Sequence, residues 1–167
     1  MEAQYVSCRQ TAVGPIGISA KQGKLIGLSF FQGADSCGDA VVDEPLLDEA
    51  FLQLEAWLEG RLTTFSLPLA PAGTPFMRSV RRALLEIPYG STSSYRDIAI
   101  ATGSPGAARA VGMACARNPL PIFVPCHRVT GSGGHLGGYL GGVGLKRFFL
   151  QMERRNIAGK DVNMLQL

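Results

Sequence analysis

The segment 61–73 constrains the fold most, because it carries two prolines and a glycine between two stretches with helical spacing. Proline lacks a backbone N–H and disfavours a helical conformation of the residue before it, so neither helix can continue through this segment. A chain of 167 residues can bury one core or two small ones. We therefore predict two subdomains, over 1–70 and 74–167, joined by this linker.

The N-terminal subdomain is predicted to be α/β. Residues 4–31 have the alternation of β structure, and Gln22-Gly23 between two apolar runs favours a hairpin turn. After a loop over 32–42, apolar residues recur with helical spacing from near Asp43, with Pro45 in the first turn, as far as Gly60. These patterns predict a small antiparallel sheet plus one helix.

The C-terminal subdomain is predicted to be mostly helical. Four helices are expected, at 74–87, from Ser94 to Ala101, from Gly106 to Arg117 and from Leu145 to Arg155. The two middle helices and their turn over 102–105 match a helix-turn-helix, which is either a DNA-binding unit or a plain helical hairpin. The apolar run 121–124 predicts a short strand. Residues 131–144 include eight glycines, typical of a flexible loop or of backbone that approaches a ligand closely.

Charge is divided unevenly along the chain. Residues 1–73 hold four Lys/Arg and nine Asp/Glu, net −5, whereas 74–167 hold twelve and four, net +8, which together give +3. A basic half suits a polyanionic partner, although a solvated surface explains the same charges. The N-terminus lacks the pattern of a signal peptide and no apolar run reaches the length of a membrane span, so we expect a cytoplasmic protein without a membrane partner.

The four cysteines, at 8, 37, 115 and 126, show no CxxC spacing, and the chain has two histidines. Neither a zinc site nor a disulfide framework is expected, and we predict no metal and no cofactor. Cys8, Cys37 and Cys115 are interpreted as small buried apolar groups.

Cys126 differs from the other cysteines because His127 and Arg128 follow it directly. A nucleophilic cysteine reacts as the thiolate and needs a base or a positive charge nearby. A carboxylate that orients the imidazole would complete the set, and Glu153 and Asp161 are the downstream candidates. Glu153 is favoured, because the final helix is expected to pack against the site.

The sequence around Cys126, Pro-Cys-His-Arg-Val at 125–129, resembles the active-site motif of the O6-alkylguanine-DNA alkyltransferases. The resemblance extends over roughly residues 74–155. Further segments that are similar to the family in the same order are Thr74-Pro75-Phe76, Ile87-Pro88-Tyr89-Gly90, Ser94-Tyr95, 107–112, Asn118-Pro119, Gly138-Tyr139 and Gly141-Gly142. The resemblance implies an RNase-H-like N-terminal subdomain and a helical C-terminal domain with a helix-turn-helix.

The resemblance also implies an activity: DNA repair by single-turnover transfer of an alkyl group from O6-alkylguanine in duplex DNA, with O4-alkylthymine as a second candidate substrate. In this comparison Cys126 is similar to the alkyl acceptor and His127 to the base that takes its proton through a water. Glu153 is similar to the carboxylate that orients His127, and Asn118 to the residue that braces the active-site turn. A monomer bound to double-stranded DNA is expected.

Other positions resemble substrate-binding and DNA-binding residues of the family. Tyr95 is similar to a phenol that donates to a ring nitrogen of guanine, and Arg109 to a side chain that fills the place of the flipped nucleotide. Lys146 and Arg128 are similar to supporting residues. The predicted base pocket further includes Val129, Tyr139, Leu140 and Cys115. The predicted DNA surface further includes Ala107, Ala108, Gly112 and Arg128.

Leu140 departs from the pattern, because a small residue such as Ser or Ala is expected after Tyr139. A larger side chain there predicts a narrower pocket that disfavours bulky alkyl groups. Two alternatives stay open from the residues. One is a non-catalytic protein that binds alkyl lesions, which Cys126 argues against. The other is a Cys/His hydrolase, for which the sequence offers no oxyanion site.

Overall fold

The computed structural model of the chain describes residues 4–32 and 44–165, with side chains as far as residue 160. The chain divides into two compact units. The first contains the residues up to Pro71 together with Pro119–Phe123, and the second contains Ala72–Asn118 and the residues from Val124 onward.

The first unit contains an antiparallel sheet in the order β1-β2-β3, with strands Gln4–Thr11, Gly14–Lys21 and Lys24–Phe30. The predicted hairpin is confirmed: Lys21 pairs with Lys24, and Gln22 and Gly23 between them both have positive φ (53° and 70°). Two successive positive φ angles are typical of the tight turn that matches the twist of paired strands.

Helix α1 (Pro45–Leu58) packs against this sheet. Its buried face includes Leu47, Phe51, Leu54 and Trp57, which are wholly inaccessible to solvent. Pro45 opens the helix and Gly60, with φ of 74°, follows its end, as the sequence predicts. The predicted start at Asp43 lies outside the described residues.

The predicted linker is partly ordered against β3 of the first unit. The Leu25 N–H donates to the Pro68 carbonyl and the Ala70 N–H to the Leu25 carbonyl, both at 2.8 Å. These bonds form a short parallel bridge between Leu25 and Leu69. Pro68 is tolerated there because it contributes only its carbonyl to this bridge, so its missing N–H breaks no hydrogen bond of the ladder.

The second unit is mostly helical, as predicted. Helix α2 (Pro75–Leu85) is capped by Thr74, whose hydroxyl accepts from the Met77 N–H at 3.1 Å, and α3 (Tyr95–Ala101) is capped by Ser94 in the same way. Helix α4 (Ala108–Ala116) follows a turn that contains Gly103, with φ of 80°. Because α3 packs against both α2 and α4, the middle helices form the predicted helix-turn-helix.

The rest of the second unit surrounds a short 3₁₀ turn, Cys126–Arg128. Strand β5 (Val129–Thr130) leaves this turn and pairs in parallel with β4 (Ser93–Ser94), just before α3. Helix α5 (Val143–Leu165) extends beyond the predicted Leu145–Arg155 at both ends and packs against the turn.

Three expectations differ from the structure. The run 121–124 is a turn in which Ile122 has φ of 74°, and its apolar residues reflect the burial of that turn instead of a strand. Helix α4 begins at Ala108 instead of Gly106, with Ala107 as its N-cap. Cys8 is disulfide-bonded, whereas the sequence predicted a small apolar thiol; Cys37 lies outside the described residues.

The described residues carry neither a membrane-spanning helix nor a cluster of metal ligands. No helix there combines the length and the apolar character required to cross a bilayer. The same residues contain no group of three or more His, Cys, Asp or Glu side chains placed to hold a metal ion.

Candidate active site

Cys126 lies at the start of the 3₁₀ turn, held by backbone bonds on both sides. Its N–H donates to the Val124 carbonyl at 2.8 Å, and the Arg128 N–H donates to the Pro125 carbonyl at 3.0 Å. Cys126, His127 and Arg128 are all buried. A rigid turn therefore fixes the direction of three consecutive functional side chains.

The imidazole of His127 is paired with Glu153 of α5, with 3.0 Å between Nε2 and Oε1. Burial lowers the pKa of His127, Glu153 opposes this shift, and Arg128 and Lys146 add to it. The ring is thus held neutral near neutral pH. In the tautomer that donates from Nε2 to the carboxylate, Nδ1 is the basic ring nitrogen.

Besides His127, the Arg128 guanidinium and the Gly90 backbone hold the Glu153 carboxylate. The Arg128 guanidinium donates from Nε to Oε2 at 3.0 Å and from Nη2 to Oε1 at 2.7 Å, and the Gly90 N–H donates to Oε2 at 3.1 Å. Burial acts to raise the pKa of Glu153, but the hydrogen bonds from His127 and Arg128 and the charge of Arg128 outweigh it and lower the pKa to about 2. The carboxylate is therefore ionised and fixed in orientation.

Asn118 joins the end of α4 to the active-site turn. Its N–H donates to the Cys115 carbonyl at 3.2 Å, and its side-chain Nδ2 donates to the Val124 carbonyl at 3.0 Å and to Cys126 Sγ at 3.2 Å. Burial raises the pKa of the Cys126 thiol, while the bond from Asn118 and the charge of Lys146 oppose that shift. Cys126 is thus a thiol in the resting site. The Asn118 amide is already placed to donate a hydrogen bond to the thiolate form of the sulfur.

The thiol of Cys126 faces a cavity of about 370 Å³. This volume lies in the range of small-molecule pockets. The cavity is lined by Tyr95, Gly112, Cys115, Ala116, Cys126, Gly138, Tyr139 and Leu140. Of the predicted pocket residues, Val129 alone lies outside this set; it is wholly buried in β5.

Two features that keep Tyr95 in place lie beside the cavity. A Cβ atom on Gly137, which has φ of 69°, would lie 2.7 Å from the Tyr95 hydroxyl, so only glycine fits there without a shift. The buried Lys146 has its ammonium 5.8 Å from the centre of the Tyr95 ring and donates to the Gly138 carbonyl at 3.4 Å. The sequence placed Lys146 as a supporting residue, but the roles of Gly137 and of the Gly90 N–H were missed.

The predicted DNA-binding residues separate into two groups. Ala107, Ala108 and Arg109 lie at the beginning of α4, where Arg109 is exposed, and Gly112 lies one turn later beside the Tyr95 ring. Arg128 does not fit the predicted DNA surface, because it is 7% exposed and its guanidinium is bound to Glu153 and to the Ile87 carbonyl. Its charge serves the buried carboxylate instead.

Comparison with known proteins supports the fold. The model of the 6-O-methylguanine DNA methyltransferase DNA binding domain matches residues 75–155, and the model of the ribonuclease-like domain of the same family matches residues 5–71. The methylated-DNA–protein-cysteine methyltransferase of Methanosarcina barkeri is 43% identical over 92% of this chain and 99% of its own length. The constitutive enzyme of Bacillus subtilis is 54% identical over 67% of this chain and 68% of its own.

Solved structures agree with the sequence matches. The crystal structure of Mycobacterium tuberculosis OGT in complex with DNA has a TM-score of 0.81 and 39% identity, and the match covers 91% of this chain and 94% of that one. The O6-methylguanine-DNA methyltransferase of Pyrococcus kodakaraensis has a TM-score of 0.55 and 27% identity, and the match covers 90% and 99% of the two chains. With both halves of the sequence matched, the chain belongs to the 6-O-methylguanine DNA methyltransferase family.

Proposed function

We propose that this protein repairs DNA by moving an alkyl group from the O6 atom of guanine onto Cys126, once per molecule. The observation that carries the proposal is the thiol of Cys126 at a base-sized cavity, next to the buried pair of His127 and Glu153. The family of the chain supports the same reaction class.

The residues of the site supply a balanced proton path. The Cys126 thiol gives its proton to Nδ1 of His127 through a water, and Glu153 holds the imidazolium that forms. The sulfur then forms a bond to the alkyl carbon as the bond between that carbon and the guanine oxygen breaks. Tyr95, which lines the cavity, donates its phenolic proton to a ring nitrogen, so guanine leaves as a neutral base. The proton held by His127 then returns through water to the Tyr95 phenolate, which leaves both side chains neutral.

A stacked base is out of reach of a buried thiol, so the nucleotide must leave the helix before the reaction. Extrusion costs a few kcal/mol of stacking and pairing, and a side chain that fills the gap offsets part of this cost. Arg109 suits that role, because it is exposed in the first turn of α4 while Gly112 and Cys115 of the same helix line the cavity. DNA as the partner also agrees with the intracellular location expected from the sequence.

The product is a thioether on Cys126, which has no good leaving group. One lesion therefore consumes one protein molecule. A purely lesion-binding protein is not favoured, because binding alone does not require a thiol that is hydrogen-bonded by Asn118 beside a histidine base.

The proposal is tested by mass spectrometry of the intact protein after incubation with a duplex that contains O6-methylguanine. We expect a single mass gain of one methyl group that is absent in Cys126→Ser. Cys115→Ser is the matched control, because Cys115 is buried beside the same cavity, and it should still gain the methyl group. Binding of the duplex without any gain in mass would instead support the lesion-binding alternative.

A further inference from the structure

A second cavity lies beside α5 in the second unit, apart from the cavity at Cys126. Its volume is about 380 Å³, close to that of the first, and the two cavities share no lining residue. The side chains of α5 that line it are Arg147, Leu150, Gln151 and Arg154. The proposed alkyl transfer uses none of them, so that reaction does not account for this cavity.

The charge in this second cavity is positive and uncompensated. Among the described residues that line it there are two arginines and no carboxylate. Arg147 and Arg154 are both exposed, and their spacing of seven residues places them on the same face of α5. Neither guanidinium forms an ion pair or a hydrogen bond with another described residue. Two like charges in one recess attract an anion that binds between them.

Thr130 adds a buried hydroxyl to the lining of the second cavity. The residue is 9% exposed, and its hydroxyl forms no hydrogen bond with another described residue. Buried hydroxyls normally have a partner, because the loss of contact with water costs free energy. The pairing of β5 with β4 fixes the backbone of Thr130, so the hydroxyl stays beside the cavity. It therefore indicates a polar partner that enters from the cavity.

The donors of this cavity match a terminal phosphate group. Besides the two arginines, the side chains of Thr92, Thr130 and Gln151 offer donors. The planar fork of arginine fits phosphate oxygens, and a phosphate monoester carries a charge of about −2 at neutral pH with three free oxygens. A backbone phosphate of duplex DNA has one charge and a sugar on each side. It cannot reach a residue as buried as Thr130.

We propose that the second cavity binds a terminal phosphate group between Arg147 and Arg154, with the Thr130 hydroxyl as donor to one of its oxygens. The site shares no residue with the cavity at Cys126, so it stands independently of the proposed alkyl transfer. A terminal phosphate has two sources with the same chemistry. One is a small sugar phosphate or nucleotide, and the other is the 5′-phosphate at the end of a DNA strand.

Isothermal titration calorimetry of the whole chain, at constant ionic strength in chloride, tests the site. Inorganic phosphate and ribose 5-phosphate should each bind saturably, one molecule per protein, and ribose should not bind. Arg154→Gln should raise both Kd values about tenfold, and Thr130→Val, which removes the hydroxyl, should raise them in the same direction. Arg155→Gln is the matched control, because Arg155 is the exposed neighbour on α5 and does not line the cavity. It should leave both Kd values unchanged.

Two results would overturn the inference. One is the absence of saturable binding of either phosphate compound. The other is an equal rise of Kd in Arg154→Gln and in Arg155→Gln or Arg109→Gln, because that would show diffuse attraction to the basic half of the chain instead of a site.

The source of the phosphate is separated with two duplexes that differ only in a 5′-phosphate, with Kd measured by fluorescence anisotropy. Tighter binding of the phosphorylated duplex, lost in Arg154→Gln, assigns the site to the end of a DNA strand. Equal Kd values for the two duplexes, beside saturable binding of ribose 5-phosphate, assign it to a small phosphate compound.

Discussion

Arg128 and Glu153 form a bidentate ion pair inside the second unit, with the arginine 7% exposed and the carboxylate wholly buried. The same carboxylate holds His127. A buried ion pair stabilises a protein only when the attraction and hydrogen bonds between the two groups compensate for their loss of contact with water. Removal of one partner leaves an uncompensated buried charge. The pair thus couples the stability of the unit to the orientation of the proposed base.

Glu153→Gln should lower both stability and rate. The loss of the negative charge leaves the Arg128 guanidinium buried without its counter-charge, and we expect a stability loss of about 3–5 kcal/mol in urea denaturation. The double variant Glu153→Gln/Arg128→Met should recover most of that stability but little of the single-turnover rate of methyl transfer. Recovery of both together would mean that the carboxylate has no part in the reaction beyond folding.

Acid should destabilise the protein through Glu153. Its pKa in the folded protein is about 2, below its usual value of about 4.5. A lowered pKa means that the unfolded chain binds the proton more readily. The stabilisation by this carboxylate is therefore present above about pH 4.5 and is lost as the pH falls towards about 2. Urea denaturation at several pH values should show this fall, and Glu153→Gln should show a shallower one.

The rate of alkyl transfer should persist below the usual titration range of histidine. Burial lowers the pKa of His127 below 6.5, so the imidazole stays neutral and able to accept a proton as the pH falls through that value. Single-turnover rates on the methylated duplex, measured at saturating protein from pH 8 downward, should decline only below about pH 6.5. A decline centred at or above that pH would contradict the role of a neutral buried base.

Much of the fold could be predicted because local chemistry specifies it. Thr74 and Ser94 are sequence signals for helix starts, and both cap their helices. The run 121–124 was mistaken for a strand because an apolar sequence reports burial, and a buried turn has the same composition. Ile122 has a backbone conformation that is rare for a β-branched residue, and no sequence pattern predicts it.

The site was predictable where residues lie close in sequence or match a known motif, and less so where it depends on distant packing. Cys126 and His127 are adjacent, and Glu153 was the favoured carboxylate downstream of them. The structure does not place Arg128 on the predicted DNA surface, because α5 packs against the turn and buries the side chain, whereas the supporting role expected for it agrees with its bond to Glu153. Gly137 is one of eight glycines in its segment, and only the position of the Tyr95 hydroxyl distinguishes it from the others.

Gly137→Ala should impair the site by displacing Tyr95. The new Cβ would meet the Tyr95 hydroxyl at 2.7 Å, and the positive φ adds strain of about 1–2 kcal/mol. Gly133→Ala is the matched control, since Gly133 has a φ of 68° with no atom within 4 Å of the added Cβ. Both variants should lose similar stability, but Gly137→Ala alone should lower the rate on duplex DNA and on free O6-benzylguanine. Equal rates in the two variants would show that the contact is irrelevant.

Leu140 should limit the size of the alkyl group. Its side chain lines the cavity and is 49% exposed, so it lies at the opening of the cavity and reduces the room for a bulky substituent. Leu140→Ala should raise the ratio of the rate with O6-benzylguanine to the rate with O6-methylguanine, both measured in duplex DNA. Stability should change by no more than about 0.5 kcal/mol, because an exposed position loses little packing.

Val143→Ala is the control for that comparison, because Val143 is 46% exposed at the start of α5 and does not line the cavity. It should leave the ratio of the two rates unchanged. A ratio that also stays constant in Leu140→Ala would mean that the half-exposed leucine moves aside when the base enters. In that case the limit on alkyl size would lie with Tyr139, whose ring is fixed edge-on against His127 and Phe149 at 6.4 and 6.1 Å between ring centres.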